Sequence, residues 1–457
     1  MEMTQGTPTS TRKFSYSGWI KRCHKNASAD EETIFSIGAS GDSYYNGYRF
    51  KSTQKLHINF DSTASGSTCE LVTTAVYKDP AAWYHIVLAC DTEQVSSGDR
   101  LRLYVNGEEV TEFDTEVQPA LDRDLGFLAS GDKIVLGRQA SGSSQYFNGN
   151  MSWVQYVDGL QLAPTEFGET DSTSGIWKIK PSPYATPGNN GFCLKMEDRT
   201  NLDLDSSSNA HTFTTGGTAL PTYDNPSNNF STMNPLNDPN SDCDYEVGNT
   251  RVTNSGQWRG FTSSLGMGGG KWYTEFKITG TNAHQGIAFG IGKAGVSTST
   301  KNMESGNNGY ASKYAYGYER WTASTNKTNN SSSTSGYGTI MAENDIAMIA
   351  FDADNGTIWT GVNGTWDNSA TSGEIAAGTT TNAMYSSIVV DDNFFYTCSI
   401  EGTSVTPYVN WNFGNGYFNT SMVSSTNADD AGIGSFEYAP PTGYYALCTK
   451  NIKAYGG

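Results

Sequence analysis

Three carboxylates occupy alternate positions of one short stretch, Glu112, Asp114 and Glu116 in "EFDTE". In an extended strand, residues two apart share a face, and carboxyls on one face can flank a glycosidic bond as nucleophile and acid. This is the glycosidase reading, and it is the alternative here, because "EFDTE" follows the Asn106-Gly107 turn directly and runs into "VQPALDRD" without an aromatic cradle beside it. A solvated acidic strand end explains it more simply, so no catalytic residue is expected. The histidines, His24, His57, His85, His211 and His284, are far apart and lack the HExxH spacing of a zinc protease. His85, between Tyr84 and Ile86 in an apolar run, reads as a structural core residue. No GxSxG elbow occurs, and "GMGGGKW" lacks the GxxxxGK[ST] pattern and following helix of a phosphate loop. "FDADNGTIWTGVNGTW" offers Asp352 and Asp354 at the first and third positions of a calcium loop, but its glycine arrives one place early and no helix flanks it. It reads instead as a strand, a turn, a second strand and an Asn-Gly turn.

The elements that must position such residues are strands. "KFSYSGWI", "TIFSIGAS", "KLHINF", "LVTTAVY", "WYHIVLAC", "RLRLYVNG", "KIVLGRQ" and "MSWVQYV" are short period-two runs separated by polar or glycine-rich turns, the pattern of an antiparallel sandwich. "VNGEEV" carries the Asn-Gly hairpin signal. Residues 169–242 are loaded with Pro, Asn, Ser and Gly and read as an irregular connector with one short strand near "GFCLKM". A second sandwich follows over 243–420, through "GKWYTEFKI", "GIAFGIG", "YAYGYERW", "DIAMIAFDADNG" and "YVNWNFG", and 421–457 form a separate tail. The first domain is expected over 1–168. The two halves echo each other in their Asn106-Gly107 and Asn363-Gly364 turns. In the tail, Pro440-Pro441 blocks helix and central strand alike, so "YYALCTKNI" is expected as an edge strand on a sandwich or on a neighbouring subunit.

With 457 residues, only 17 % of them charged, and 50 Gly and 26 Tyr, the chain suits two all-β domains. A net charge of −18 with no basic cluster argues against nucleic acid as a partner. Seven scattered cysteines without a CxxC pair make neither a disulfide framework nor a zinc site, and no apolar run has the length to cross a bilayer. The N-terminal "MEMTQGTPTSTRKF" lacks the apolar core of a signal peptide, so folding in a reducing cytoplasm is expected.

The motifs "GKWYTEFKI", "GIAFGIG", "DIAMIAFDADNGTIWTGVNGTW" and "VNWNFG" stand in the order of a SPRY domain, and the second half resembles that family of protein-binding sandwiches. Through "FSYSGWIKR", "DPAAWYHIVLACDT" and "LRLYVNGEEVTEF", the first half looks like a laminin-G or concanavalin-A-like jelly roll. The two together, with "PTEFGETDSTSGIWKIK", "DNPSNNFSTMNPL" and the terminal "YAPPTGYYALCTKN", are similar to virion proteins of tailed bacteriophages, notably those of marine hosts. That resemblance implies a virion-surface or tail-fibre protein, with other virion proteins and a host-surface glycan or protein as partners, a homo-oligomeric assembly, and no membrane insertion. A structural decoration protein without a receptor is the non-binding alternative. Jelly rolls of the laminin-G kind often hold one rim calcium, for which Asp42 with Ser43 and Asp122 with Asp124 are the candidate suppliers; beyond this ion no cofactor or metal is expected.

Binding in a sandwich belongs to the loops that the scaffold holds, and aromatic faces stack on sugar rings. Two stretches fit: "GDSYYNGYRF" with Tyr44, Tyr45 and Tyr48, and "NNGYASKYAYGYERWTAS" with Tyr310 and Trp321. Tyr314, Tyr316 and Tyr318 alternate at period two, so one strand face can bury them all.

Overall fold

The computed structural model describes residues 1–23, 31–39, 46–60, 69–142, 144–217, 219–237, 243–256, 258–280, 286–293, 315–321, 324–329, 332–402 and 406–456. The chain divides into two compact units, one made chiefly of residues 1–221 and the other chiefly of 228–457. Both are built from antiparallel sheets, as the alternation predicts.

The strands of the first unit, in chain order, begin with β1 (Glu2–Thr4), β2 (Lys13–Arg22), β3 (Glu32–Gly38), β4 (Gly47–Phe50), β5 (Leu56–Phe60), β6 (Cys69–Thr73) and β7 (Trp83–Asp91). They continue with β8 (Leu101–Val105), β9 (Glu108–Glu109), β10 (Phe113–Val117), β11 (Lys133–Leu136), β12 (Gly149–Asp158), β13 (Gly168–Thr170), β14 (Trp177–Ile179) and β15 (Phe192–Leu194). One sheet has the order β1-β11-β3-β4-β5-β6-β10 and the other β15-β12-β2-β7-β8-β9. Each of the eight predicted runs lies on a strand of these sheets. The stretch read as a connector supplies the hairpin β13-β14 and the edge strand β15, and its Phe192, Leu194 and Phe213 pack into the first core beside Tyr16, Phe35, Ile58 and Leu88.

The second unit opens with β16 (Cys243–Glu246), β17 (Arg251–Asn254), β18 (Arg259–Thr262), β19 (Lys271–Thr279), β20 (Gly286–Lys293), β21 (Ala315–Trp321), β22 (Ser324–Asn329) and β23 (Ser332–Ser335). After these come β24 (Ile346–Asp352), β25 (Thr357–Val362), β26 (Thr365–Trp366), β27 (Phe394–Ile400), β28 (Tyr408–Asn412), β29 (Tyr417–Phe418), β30 (Ser421–Met422) and β31 (Tyr445–Ala446). The order β16-β17-β28-β19-β24-β25-β26 forms one sheet and β18-β27-β20-β21-β22-β23 the other. "FDADNGTIWTGVNGTW" is the β24-β25-β26 meander.

The Asn-Gly turns of the two units use the same device. Asn106 and Gly107 have φ of 52° and 85°, and Asn363 and Gly364 have 49° and 81°, the doubly left-handed backbone that a two-residue hairpin wants. Each asparagine donates its backbone N–H to the carbonyl of a residue of the neighbouring strand and accepts that residue's N–H on Oδ1: Asn106 with His85 of β7 at 2.8 Å both ways, Asn363 with Ile346 of β24 at 2.9 Å both ways.

The tail corrects one expectation. Within "YYALCTKNI" the edge strand is short: Tyr445–Ala446 pairs in parallel with Trp272 and Tyr273, Cys448 makes an isolated bridge to Phe230, and Thr449–Tyr455 then turns helical. On that edge β28 already pairs Glu275–Thr279 of β19, so the tail meets β19 only ahead of that pairing, at Trp272 and Tyr273.

Candidate functional site

On β4, Tyr48 and Phe50 point into the core, which turns Arg49 to the outer face of the seven-stranded sheet. The same alternation turns His57 outward between Leu56 and Ile58 on β5, and Glu70 outward between Cys69 and Leu71 on β6. Register places Arg49 opposite His57. The Arg49 Nε donates to His57 Nδ1 at 3.2 Å, and His57 Nε2 lies 2.7 Å from Glu70 Oε1. A guanidinium only donates, so Nδ1 must accept and the imidazole proton belongs on Nε2, facing the carboxylate. Arg49 Nη1 also meets Glu31 Oε2 at 2.8 Å and donates to Gln145 Oε1 at 3.4 Å, while Gln145 Nε2 donates to Glu31 Oε2 at 3.1 Å.

His57 is 2 % exposed. Burial, reinforced by the charges of Arg49 and Lys51, pushes its pKa down to about 3, which agrees with the hydrogen bonds: a second ring proton would point at the guanidinium. Both ring nitrogens are engaged, so His57 offers no lone pair to a reacting proton. Glu31, Arg49 and Glu70 keep part of their side chains open to solvent. Charged donors and acceptors held on a rigid sheet suit recognition of hydroxyl-bearing or polar ligands by charge-assisted hydrogen bonds.

The glycosidase arrangement is not brought together. β10 pairs β6 with a bulge, Phe113 opposite Thr73 and Thr115 opposite Val72, so that Asp114 is the extra residue. The inserted residue breaks the alternation that would have lined up Glu112, Asp114 and Glu116. Asp114 is bonded to the Lys55 ammonium and, at 3.2 Å, to Thr74 Oγ1, bonds that hold its pKa below the usual value, while Glu116 accepts from Gln118 at 3.0 Å.

Among the binding residues expected from the sequence, Tyr44, Tyr45 and Tyr310 lie outside the described residues, as do Asp42 and Ser43, and Trp321 is described only as the last residue of β21. Tyr48 is corrected from a rim position to the core: it shares the inward parity of Phe50, is fully buried, and packs at 5.0 Å from the Tyr16 ring. Tyr318 is likewise buried and Tyr316 partly so, the strand-face outcome, with Tyr314 outside the described residues. Asp122 and Asp124 face Arg12, at 3.3 Å and 3.0 Å, which places a guanidinium where an ion was considered. Among the described residues, no group of three or more His, Cys, Asp or Glu could hold a metal. His85 is a core histidine as expected: Nδ1 accepts from Trp177 Nε1 at 2.8 Å, Nε2 bonds Ser17 Oγ at 2.8 Å, and burial lowers its pKa to about 3. His24 and His284 lie outside the described residues.

The Arg49-His57-Glu70 group was not anticipated from the sequence. Its signal is a polar residue centred between two inward apolar ones on three successive strands, "YRF", "LHI" and "CEL".

The fold and this site together define a chain of two antiparallel β-sandwiches with a built polar face on the first. A family model described as the concanavalin A-like lectin/glucanases superfamily matches residues 2–162. No curated protein matches the sequence. Among solved structures, the SPRY domain of human HERC1 is similar at 16 % identity, over 39 % of this chain and 96 % of that one, with a TM-score of 0.30. The TRIM65 PSpry domain is similar at 10 % identity, over 40 % and 91 %, with a TM-score of 0.28. The heptameric SAP-like pentraxin of Limulus polyphemus is similar at 19 %, over 35 % and 70 %, with a TM-score of 0.26.

Proposed function

We propose that this protein is a non-catalytic recognition protein that binds a glycan or protein on a host-cell surface, and that it is displayed in many copies on the particle of a tailed bacteriophage. The observation that carries the recognition reading is the outer face of the seven-stranded sheet, where Arg49, His57, Glu70 and Glu31 stand in a connected hydrogen-bonded group that leaves His57 no free lone pair for a reacting proton. The bulge at Asp114, which takes the only glycosidase-like spacing out of step, supports binding over hydrolysis. Display on a particle rests on the sequence resemblance to virion proteins, and many copies would turn weak single sites into firm attachment.

The test is binding of purified protein to susceptible cells and to a glycan panel, with virus adsorption measured in competition. Dose-dependent binding that slows adsorption is expected, and Arg49→Ala and Glu70→Gln should each weaken it about tenfold or more, the worth of a charge-assisted contact, in variants whose cooperative melting transition shows that they remain folded even though Arg49→Ala also strips the donor from buried His57 Nδ1. Binding that survives both substitutions would move the site elsewhere. Release of reducing sugar that disappears in Glu112→Gln would replace the reading with a glycoside hydrolase.

A further inference from the structure

One face of the second sandwich is apolar and covered by the tail. Tyr273, Met348, Ala350, Trp359 and Trp366 form a cluster with Phe436, Tyr444, Ala446 and Cys448. Regular pairing between the tail and this sheet amounts to the two residues of β31. Beneath the tail lies Glu275 of β19, with 0 % of its surface exposed. Its Oε1 accepts from the Tyr438 backbone N–H and the Tyr273 hydroxyl, each at 2.8 Å, and its Oε2 accepts from the Glu437 backbone N–H at 2.9 Å and from Asn412 Nδ2 at 3.5 Å. Two of the four donors are backbone groups of the tail.

Among the described residues, every titratable group acting on this carboxyl is acidic or phenolic. Glu437 and Tyr438 come from the tail and Tyr273 from β19 itself; Tyr396 stands behind Tyr273, and Asp345 acts on Tyr438. No cation is among them. Burial pushes the pKa of Glu275 up to about 7 against its hydrogen bonds, and the Glu437 charge adds to the rise.

We propose that residues 423–448 form a latch on the second sandwich, closed by proton uptake at Glu275 and loosened by proton loss. With the carboxyl neutral, the Tyr273 hydroxyl can turn to accept its proton while the tail N–H groups keep their acceptors. With the carboxyl ionised, the closed latch buries a charge without a cation beside Glu437, and opening returns it to water. The sign follows: the pKa is raised in the closed state, so the stabilisation of closure is complete below the ordinary value of 4.5 and is lost as pH rises through about 7. Opening uncovers Tyr273, Trp359 and Trp366.

Amide hydrogen exchange on the full chain, read in fragments across 433–448 and corrected for the intrinsic pH dependence of exchange, tests this. Protection at Glu437 and Tyr438 is expected to fall about tenfold between pH 6 and pH 8, the change in proton linkage for pKa values of 4.5 and about 7. In Glu275→Gln it should be independent of pH. Equal protection at both pH values in the parent, or an unchanged pH dependence in Glu275→Gln, would overturn the proposal. Should Glu275→Gln fail to fold, Glu437→Gln removes the neighbouring charge and should move the midpoint to lower pH; a midpoint that stays in place overturns the assignment to Glu275.

Discussion

Acidification from pH 7 to pH 5 should weaken the first unit and strengthen the second. His57 and His85 are buried and neutral, each with a pKa of about 3 where the ordinary value is 6.5. The folded state therefore binds fewer protons than the unfolded one, and stability present above pH 6.5 is lost as pH falls toward 3. At 1.36 kcal/mol per pKa unit, linkage over this window costs about 2 kcal/mol per histidine and about 4 kcal/mol for both. For a unit of this size that lowers the melting midpoint by roughly 8–16 °C. Glu275 has the opposite sign, and protonating it over the same window adds about 2 kcal/mol to the second unit. Asp114, Asp124 and Asp171 have depressed pKa values and titrate below the window. Scanning calorimetry at half-unit pH steps reads the two transitions, and His57→Gln identifies the first. A glutamine can accept from Arg49 and donate to Glu70 without titrating, so it should flatten the acid slope of the first transition by about half. The reasoning is refuted if the first midpoint holds between pH 7 and pH 5, or if His57→Gln leaves the slope as it was.

Two further outcomes concern stability. Arg22 and Glu32 form a buried pair at 2.7 Å, with Arg22 also donating to the Tyr77 carbonyl at 2.8 Å and lying over the Phe50 ring at 3.8 Å; Glu32→Ala should cost about 3–5 kcal/mol by urea unfolding, and the Arg22→Met/Glu32→Leu double variant should recover most of it. Trp177→Phe leaves His85 Nδ1 buried without its donor and should cost about 1–3 kcal/mol in the same assay, with no further loss when His85 is already replaced by Phe.

Strands were legible where alternation ran long enough to show. β2, β7 and β12 each carry nine or ten residues with a clear inward set, whereas β4 and β15, at four and three residues, are too short for period two to stand out from a turn. The site was less legible because it is made by register. Arg49, His57 and Glu70 lie on three strands, and only the β4-β5 and β5-β6 pairings bring them into contact. Tyr48 was misplaced for the same reason, since its parity with Phe50 outweighs its nearness to Tyr44 and Tyr45. At "EFDTE" the spacing was read correctly, but the bulge that breaks it depends on how β10 meets β6.

The two Asn-Gly turns bear on how the protein ages chemically. In a free chain Asn-Gly is prone to cyclise, because the glycine nitrogen can attack the side-chain carbonyl and give a succinimide that reopens to isoaspartate. In both turns that carbonyl is held by a strand amide, His85 in one unit and Ile346 in the other, and at Asn363 the attacking nitrogen is itself engaged, with the Gly364 N–H 3.1 Å from the Met348 sulfur. Cyclisation there must wait for the hairpin to come apart, so isoaspartate accumulating at Asn363 keeps a cumulative record of how often the second sandwich has opened.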